Sequence, residues 1–362
     1  MRQTDFEKIC SFENLHKAHK NAKKGRGRGN KREVILFEMN LAYHLAQLQD
    51  EIKSKSYKMK GYYNFQVHEP KTRNIYAARH IDKIVMHMLC DEILIPRLEP
   101  HFIYDNAACQ KDKGTHFALR RFTKFLTESF KKHGQNVYVL KCDIRRYFDS
   151  IDHEVLKNQI KKKIPDQDAL DLLNHYIDSY HAKDTPGIGI PLGNQTSQWF
   201  ALFYLSGLDH FIKEKLKIRG YIRYMDDFVL IHHDKKVLWN ALEEIKKIVN
   251  DDLKLQLNPK TDIFKVSRGV EFLGWRFFVN TDGKIVKRLK LQSKKRYKKK
   301  LKFLQKAYSK GEIDFEDVRR SLASYAGHLK HGNTHSLQRK FMHEFSLELD
   351  SIDENQKNPR HM

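Results

Sequence analysis

Three aspartates offer the most definite chemistry in this chain. Asp226 and Asp227 stand side by side at the centre of Tyr221–Ile231, and Asp143 falls near the end of the apolar run Val137–Ile144. Adjacent carboxylates at one tight turn repel each other, and a fold keeps them most readily with a cation between them. A divalent ion on such oxygens can bind phosphate and carry in-line phosphoryl transfer by a two-metal route. Taken singly, Asp226-Asp227 reads equally well as a solvated hairpin tip, and Asp143 as a plain strand end. Three acids from two strands favour the metal reading.

The elements that must position them follow from the flanking residues. Tyr221, Ile222 and Arg223 before the acid pair and Phe228 to Ile231 after it are β-branched or aromatic, which predicts a hairpin with the acids at its tip. Val137–Ile144 predicts a strand, and Ser150 and Asp152 are candidate caps for a helix through His153, Val155, Leu156 and Ile160. A glycine-proline loop from Pro186 to Pro191 leads to an apolar helix through Trp199, Phe200, Leu202, Phe203 and Leu205. Between about 137 and 279 the alternation suits an α+β layer, helices on one face of an antiparallel sheet.

Four segments occur in order: Asp143-Ile144-Arg145-Arg146-Tyr147-Phe148-Asp149, Gly189 to Gln198, Tyr224-Met225-Asp226-Asp227 and Phe272-Leu273-Gly274-Trp275. Their order and spacing resemble the palm motifs of reverse transcriptases, and the resemblance runs from about residue 30 to about 335. Ala107-Ala108-Cys109-Gln110, Gly114-Thr115-His116 and the Leu-Gly-x-x-x-Ser-Gln form of Leu192–Gln198 resemble the bacterial enzymes of diversity-generating retroelements and their retron, defence-associated and group II intron-like relatives. The chain departs from the diversifying group at Ala201-Leu202, where that group carries Ala-Asn. An antiphage defence reverse transcriptase copying a partner non-coding RNA is therefore the alternative.

The resemblance implies a right-hand polymerase of the α+β class: an N-terminal extension and fingers over 1–105, a palm with the remaining fingers elements over 106–280, a helical thumb over 281–350 and a disordered tail over 351–362. It implies an RNA-directed DNA polymerase with two Mg2+ ions, or Mn2+ in their place, on Asp143, Asp226, Asp227 and the Ile144 carbonyl. Asp149 shares the first motif but is read as structural. Lys71, Arg73 and, more loosely, Arg79 would hold the incoming triphosphate, because an anionic leaving group needs positive charge. Phe148 would lie under the sugar and exclude a 2′ hydroxyl. Leu192, Gly193 and Gln198 belong to the segment that meets the nucleotide. Leu192 stands where many relatives carry Gln and cannot make that residue's hydrogen bonds. Template RNA, RNA/DNA duplex, deoxynucleoside triphosphates and an accessory protein encoded nearby are the expected partners.

Composition bounds the rest. The 362 residues carry 68 Lys and Arg against 45 Asp and Glu, a formal charge of +23. That excess points to nucleic acid before a membrane surface. No apolar stretch approaches the ~18 residues of a spanning helix, the first residues lack a secretory core, and four scattered cysteines suggest neither disulfides nor a zinc knuckle. A reduced, cytoplasmic setting with no membrane partner fits. Residues 17–32 hold eight Lys or Arg and no acid, a basic loop for phosphates or a solvated one. Helical periodicity runs through Val34, Phe37, Leu41, Leu45 and Leu48. Residues 287–302 hold ten Lys or Arg and no acid, with Tyr297, Leu301, Leu304 and Tyr308 at helical spacing. Gly311 marks the stop, Asp314 caps a second helix, and a third runs from Leu337 to Leu349. A cationic back on an apolar stripe fits a thumb lying along a duplex; a basic helix for a protein or membrane partner is the rival. The His16/His19, His232/His233 and His328/His331 pairs lack ligand partners at metal spacing and are assigned no catalysis. A non-catalytic RNA-binding scaffold is the reading outside enzymology.

Overall fold

A computed structural model describes residues 5–24, 29, 31–68, 71–345 and 347. Most of the Gly25–Gly29 loop and the whole tail from 351 lie outside them. The chain divides into two compact units, Met1–Ala118 with Leu140–Ile263, and Leu119–Val139 with Phe264–Met362.

Strands form where the sequence is richest in β-branched and aromatic residues. In the first unit β1 (Tyr62–Val67) and β2 (Arg73–Ala78) make a separate antiparallel hairpin, in register from Tyr62 opposite Ala78 to Val67 opposite Arg73. A four-stranded sheet follows from β3 (Tyr138–Asp143), β4 (Gly220–Tyr224), β5 (Asp227–His232) and β6 (Asp262–Lys265), in the order β4-β5-β3-β6. β4 and β5 are buried apart from their ends. Behind them lies the helix Gln195–Tyr204, whose Trp199, Phe200, Leu202 and Phe203 are all buried. It packs against the helix His80–Leu89, and the amphipathic helix Lys235–Lys247 packs on β5. An α+β layer with antiparallel sheets is thus observed.

Asp152 alone caps the helix His153–Lys161, its carboxylate accepting from the Val155 N–H at 3.0 Å. Ser150 instead closes a single turn, Tyr147–Ser150, by donating to the Arg146 carbonyl. The periodicity read as one helix from Val34 to Leu48 breaks at Asn40, whose φ of −132° and ψ of 48° separate Arg32–Met39 from Leu41–Lys53.

The second unit holds an antiparallel sheet of β7 (Val270–Phe272), β8 (Trp275–Val279) and β9 (Ile285–Leu289). Its core includes Phe122 edge-on to Phe277 at 4.8 Å between ring centroids. Gly332 fits close over Trp275; a Cβ there would fall 2.0 Å from the indole. The helices Leu291–Ser309, Phe315–Leu329 and His335–His343 meet at Tyr297, whose ring lies 4.2 Å from that of Tyr325 and 4.8 Å from that of Phe341. Gly311, at φ +69°, ends the first of these, and the Asp314 carboxylate caps the second. Ala307 takes the last buried position of the first helix, and Tyr308 is only half-buried. The basic run opens as a strand, β9, at Lys287 and Arg288 before turning helical. Among the described residues, no helix is long and apolar enough to cross a membrane.

Candidate active site

Tyr224 pairs with Asp227, so Met225 and Asp226 form a two-residue loop at the tip of the β4–β5 hairpin. Such loops require positive φ, and Met225 supplies it at +56°, a strained value for a residue with a side chain. Asp143 ends β3, the neighbour of β5, which brings all three acids to one end of one sheet. Lys141 precedes Asp143 by two residues and so shares its face; its Nζ lies 3.4 Å from Asp227 Oδ2.

Asn258 holds Asp143 twice, its backbone N–H donating to the Asp143 carbonyl at 2.7 Å and its side-chain amide to Oδ2 at 2.9 Å. That bond and the one from the Arg145 N–H to the Gln256 carbonyl flank the Ile144–Leu257 bridge. In an antiparallel ladder this pattern turns the Ile144 carbonyl to the opposite edge of the strand. Asn258 carries no motif of its own.

Burial, then the charges of Asp143 and Asp227, push the Asp226 carboxyl up to about 6, while Arg73 pulls it back. Burial and the repulsion of neighbouring carboxylates in a hard-oxygen donor set are both offset by a divalent cation. Among the described residues, no three His, Cys, Asp or Glu side chains close into a formed metal cage, so the fit rests on donor chemistry and mutual charge.

A cleft of about 670 Å³ is lined in part by Arg73, Tyr76, Arg145, Arg146, Leu192 and Lys254; none of the three acids lines it, and Arg73, which acts on Asp226, links the two. Of the expected triphosphate ligands, Arg73 lines this cleft. Lys71 is exposed at the hairpin turn, and Arg79 lies at the hairpin's base with its guanidinium 3.8 Å over the Tyr63 ring. Leu192 joins the cleft to the hairpin: its carbonyl accepts from the Tyr76 N–H at 2.8 Å. Gly193, at φ +117°, lies so near Ile75 that a Cβ would come within 2.7 Å of Cγ2. Gly193 and Gln198 line a second cavity of about 860 Å³ with Tyr63, Phe65 and Lys83. Phe148 is half-buried with its ring 5.8 Å from that of Tyr147, while Arg146 and Asp149, on either side of it, line the cleft. Asp149 also faces Arg146, Oδ2 to Nε 3.6 Å.

Asn194 lies inside the Gly189 to Gln198 motif, whose resemblance assigns it no role. Its side chain accepts from the Ala78 N–H at 3.1 Å and donates to the Tyr76 carbonyl at 3.0 Å, tying β2 to this segment. The histidine pairs take structural places. His19 bonds to His80 in the core at 3.1 Å, His232 accepts from the Asp234 N–H, and His328 lies against Trp275.

Acids at adjacent strand ends thus lie near a cleft lined by guanidinium and ammonium groups. The family model described as reverse transcriptase (RNA-dependent DNA polymerase) matches residues 63–277, a span that takes in every motif above. The chain belongs to the reverse transcriptase family and is by class an RNA-directed DNA polymerase. Protein YkfC of Escherichia coli is 26% identical over 288 residues, covering 67% of this chain and 73% of that protein. A putative COX1/OXI3 intron 2 protein of Saccharomyces cerevisiae is 23% identical over 323 residues, and the match spans only 36% of its length. A solved apo telomerase from Candida tropicalis, truncated from its C-terminal domain, is 14% identical with a TM-score of 0.47, covering 68% of this chain and 60% of that one.

Proposed function

We propose that this chain copies a dedicated structured RNA into DNA by extending a primer, with fingers, palm and thumb assigned to 1–105, 106–280 and 281–350. The observation that carries this is the gathering of Asp143, Asp226 and Asp227 at one sheet end beside the cationic cleft. Asp143, Asp226 and Asp227, with the Ile144 carbonyl, would hold two magnesium ions, which supply Lewis acidity to the primer 3′ hydroxyl and the triphosphate.

The protein's own groups do the rest. Arg73, already near Asp226, binds the anionic triphosphate, with Lys71 entering as the β1–β2 hairpin approaches and Arg79 fixed at its root. Phe148 places its ring against the sugar and leaves no room for a 2′ hydroxyl. Leu192 presents an apolar face to the base pair where a Gln would hydrogen-bond, and Gln198 lines the neighbouring cavity. The basic helix Leu291–Ser309 neutralises backbone phosphates of the template–primer duplex. A charge of +23 exceeds what one duplex groove needs, which supports a structured RNA partner and an accessory protein.

The test is primer extension on a defined RNA with Mg2+, comparing wild type with Asp226→Asn. Deoxynucleotide-dependent extension that the variant loses is the expected result. A wild type that binds RNA but extends nothing would leave a basic scaffold. Whether the product serves diversification or phage defence is read from the RNA that copurifies and from errors opposite template adenine.

A further inference from the structure

The carbonyl end of the helix Gln195–Tyr204 receives donors from two different catalytic segments. Tyr147, four residues beyond Asp143, donates its hydroxyl to the Ala201 carbonyl at 2.6 Å. Arg223, three residues before Asp226, donates Nη2 to the Leu202 carbonyl at 3.0 Å. Tyr147 is 3% exposed and Arg223 is 0% exposed.

Arg223 is committed on every side. Nε donates to Asp209 Oδ1 at 2.7 Å, Nη2 also pairs with Asp209 Oδ2, and Nη1 donates to the Met225 carbonyl at 2.9 Å. The Tyr221 hydroxyl completes Asp209 Oδ1 at 2.6 Å. A sealed ion pair adds little net stability, because desolvating both charges offsets their attraction. What a guanidinium adds is direction, a rigid planar fork with several donors at fixed angles. One of those donors holds the carbonyl of Met225, the strained residue directly before Asp226.

We infer that Tyr147, Arg223 and Asp209 are positioning residues that use one helix end as a common jig. By clamping the segments of Asp143 and Asp226 to consecutive carbonyls, they set the separation of the two acids. That separation governs divalent-ion affinity and turnover. The inference rests on the polymerase reading and deepens it, giving the buried residues around the acids a share in the chemistry.

Three variants test it: Tyr147→Phe, Arg223→Lys, and Asp209→Leu combined with Arg223→Met, which removes both charges at similar volume. Each is measured for thermal melting, for Mn2+ binding without primer or nucleotide by counting free ion with electron paramagnetic resonance, and for kcat and KM. Arg223→Lys should lower kcat roughly tenfold or more and weaken Mn2+ binding several-fold, with any rise in nucleotide KM no larger than that loss of ion affinity. Tyr147→Phe, which loses one oxygen, should do the same to a smaller degree, and it carries the test if Arg223→Lys does not fold. The double variant should regain melting temperature while kcat and Mn2+ binding stay low. Wild-type kcat and Mn2+ affinity in the double variant would overturn the inference, as would a raised KM at constant kcat in the single variants. A wild type that extends no primer would fail the polymerase reading alone, since Mn2+ binding and melting still decide the clamp.

Discussion

Two hairpins in this protein present charge at their tips, and they are built in opposite ways. The β4–β5 hairpin carries Asp226 and Asp227 on strands whose interiors are buried, with a buried ion pair under its turn. The β1–β2 hairpin carries Lys71 and Arg73 at its turn, and five of the six residues of β1 are exposed. Its bonds to the rest of the unit come from the half nearer its base: Tyr76 to Leu192, Tyr76 and Ala78 to Asn194, and Tyr62 to Ser179. Acids set into a packed sheet keep a fixed separation, because displacement costs many contacts at once. On the proposed reading the cations of the other hairpin meet the substrate from an exposed ribbon, which can open locally at low cost.

The widest consequence is for the rigid hairpin. Asp226→Asn and Asp143→Asn keep shape and remove charge, so extension should fall by orders of magnitude with the melting temperature held or raised. Near-normal extension by either variant would place the chemistry elsewhere.

Acid should loosen the other hairpin's root. β2 leads through Arg79 into the helix that starts at His80, and burial, reinforced by His19 and Lys83, pushes the His80 pKa down to about 4. The folded value lies below the unfolded one, so the neutral ring's contribution is full above pH 6.5 and is lost as pH falls from there towards 4. The loss amounts to at most about 3 kcal/mol. Hydrogen exchange at pH 7 and pH 5 should show helix 80–89 and β2 losing protection before β4 and β5. Equal loss in both hairpins would erase the contrast between them.

At the base, Asn194→Ala leaves the Ala78 N–H without its buried acceptor, a local cost of about 1–3 kcal/mol. Nucleotide KM should rise by about tenfold, with kcat moving less, and Arg73→Ala should match it without lowering the melting temperature. A fall in kcat at constant KM for both would make this hairpin part of the fixed machinery.

The smallest effect is expected at Leu192, where a single neutral hydrogen bond is in question. Leu192→Gln should lower misincorporation opposite template adenine by a few-fold, as about 0.5–1.5 kcal/mol allows. Deep sequencing of products from a defined RNA measures it, and accurate copying by the wild type would remove the diversifying reading.

The contrast also marks how far the sequence alone reached. Local patterns determined the β4–β5 hairpin and its acid tip, the strand ending in Asp143, the Asp152 and Asp314 caps and the apolar helix after the proline loop. Each depends on residues within a few positions of one another, so spacing suffices. The ordered motifs brought in the family and the acids to examine. Tertiary structure decided what depends on residues far apart in the chain. Asn258 reaches Asp143 across 115 positions and Asn194 reaches Ala78 across 116; Asn258 carries no motif signal, and Asn194, though inside the Gly189 to Gln198 motif, carries no signal of this bond. β9 hides at the start of a lysine run whose composition reads as helix, because its strand state comes from pairing with β8. Arg223 shows the division most sharply. The sequence places it in a strand, where an arginine would ordinarily face water, and only packing reveals Asp209 and the carbonyls of Leu202 and Met225 waiting for it. A buried charge survives only where the whole fold supplies its partners, and partners that distant leave no mark on the residues beside it.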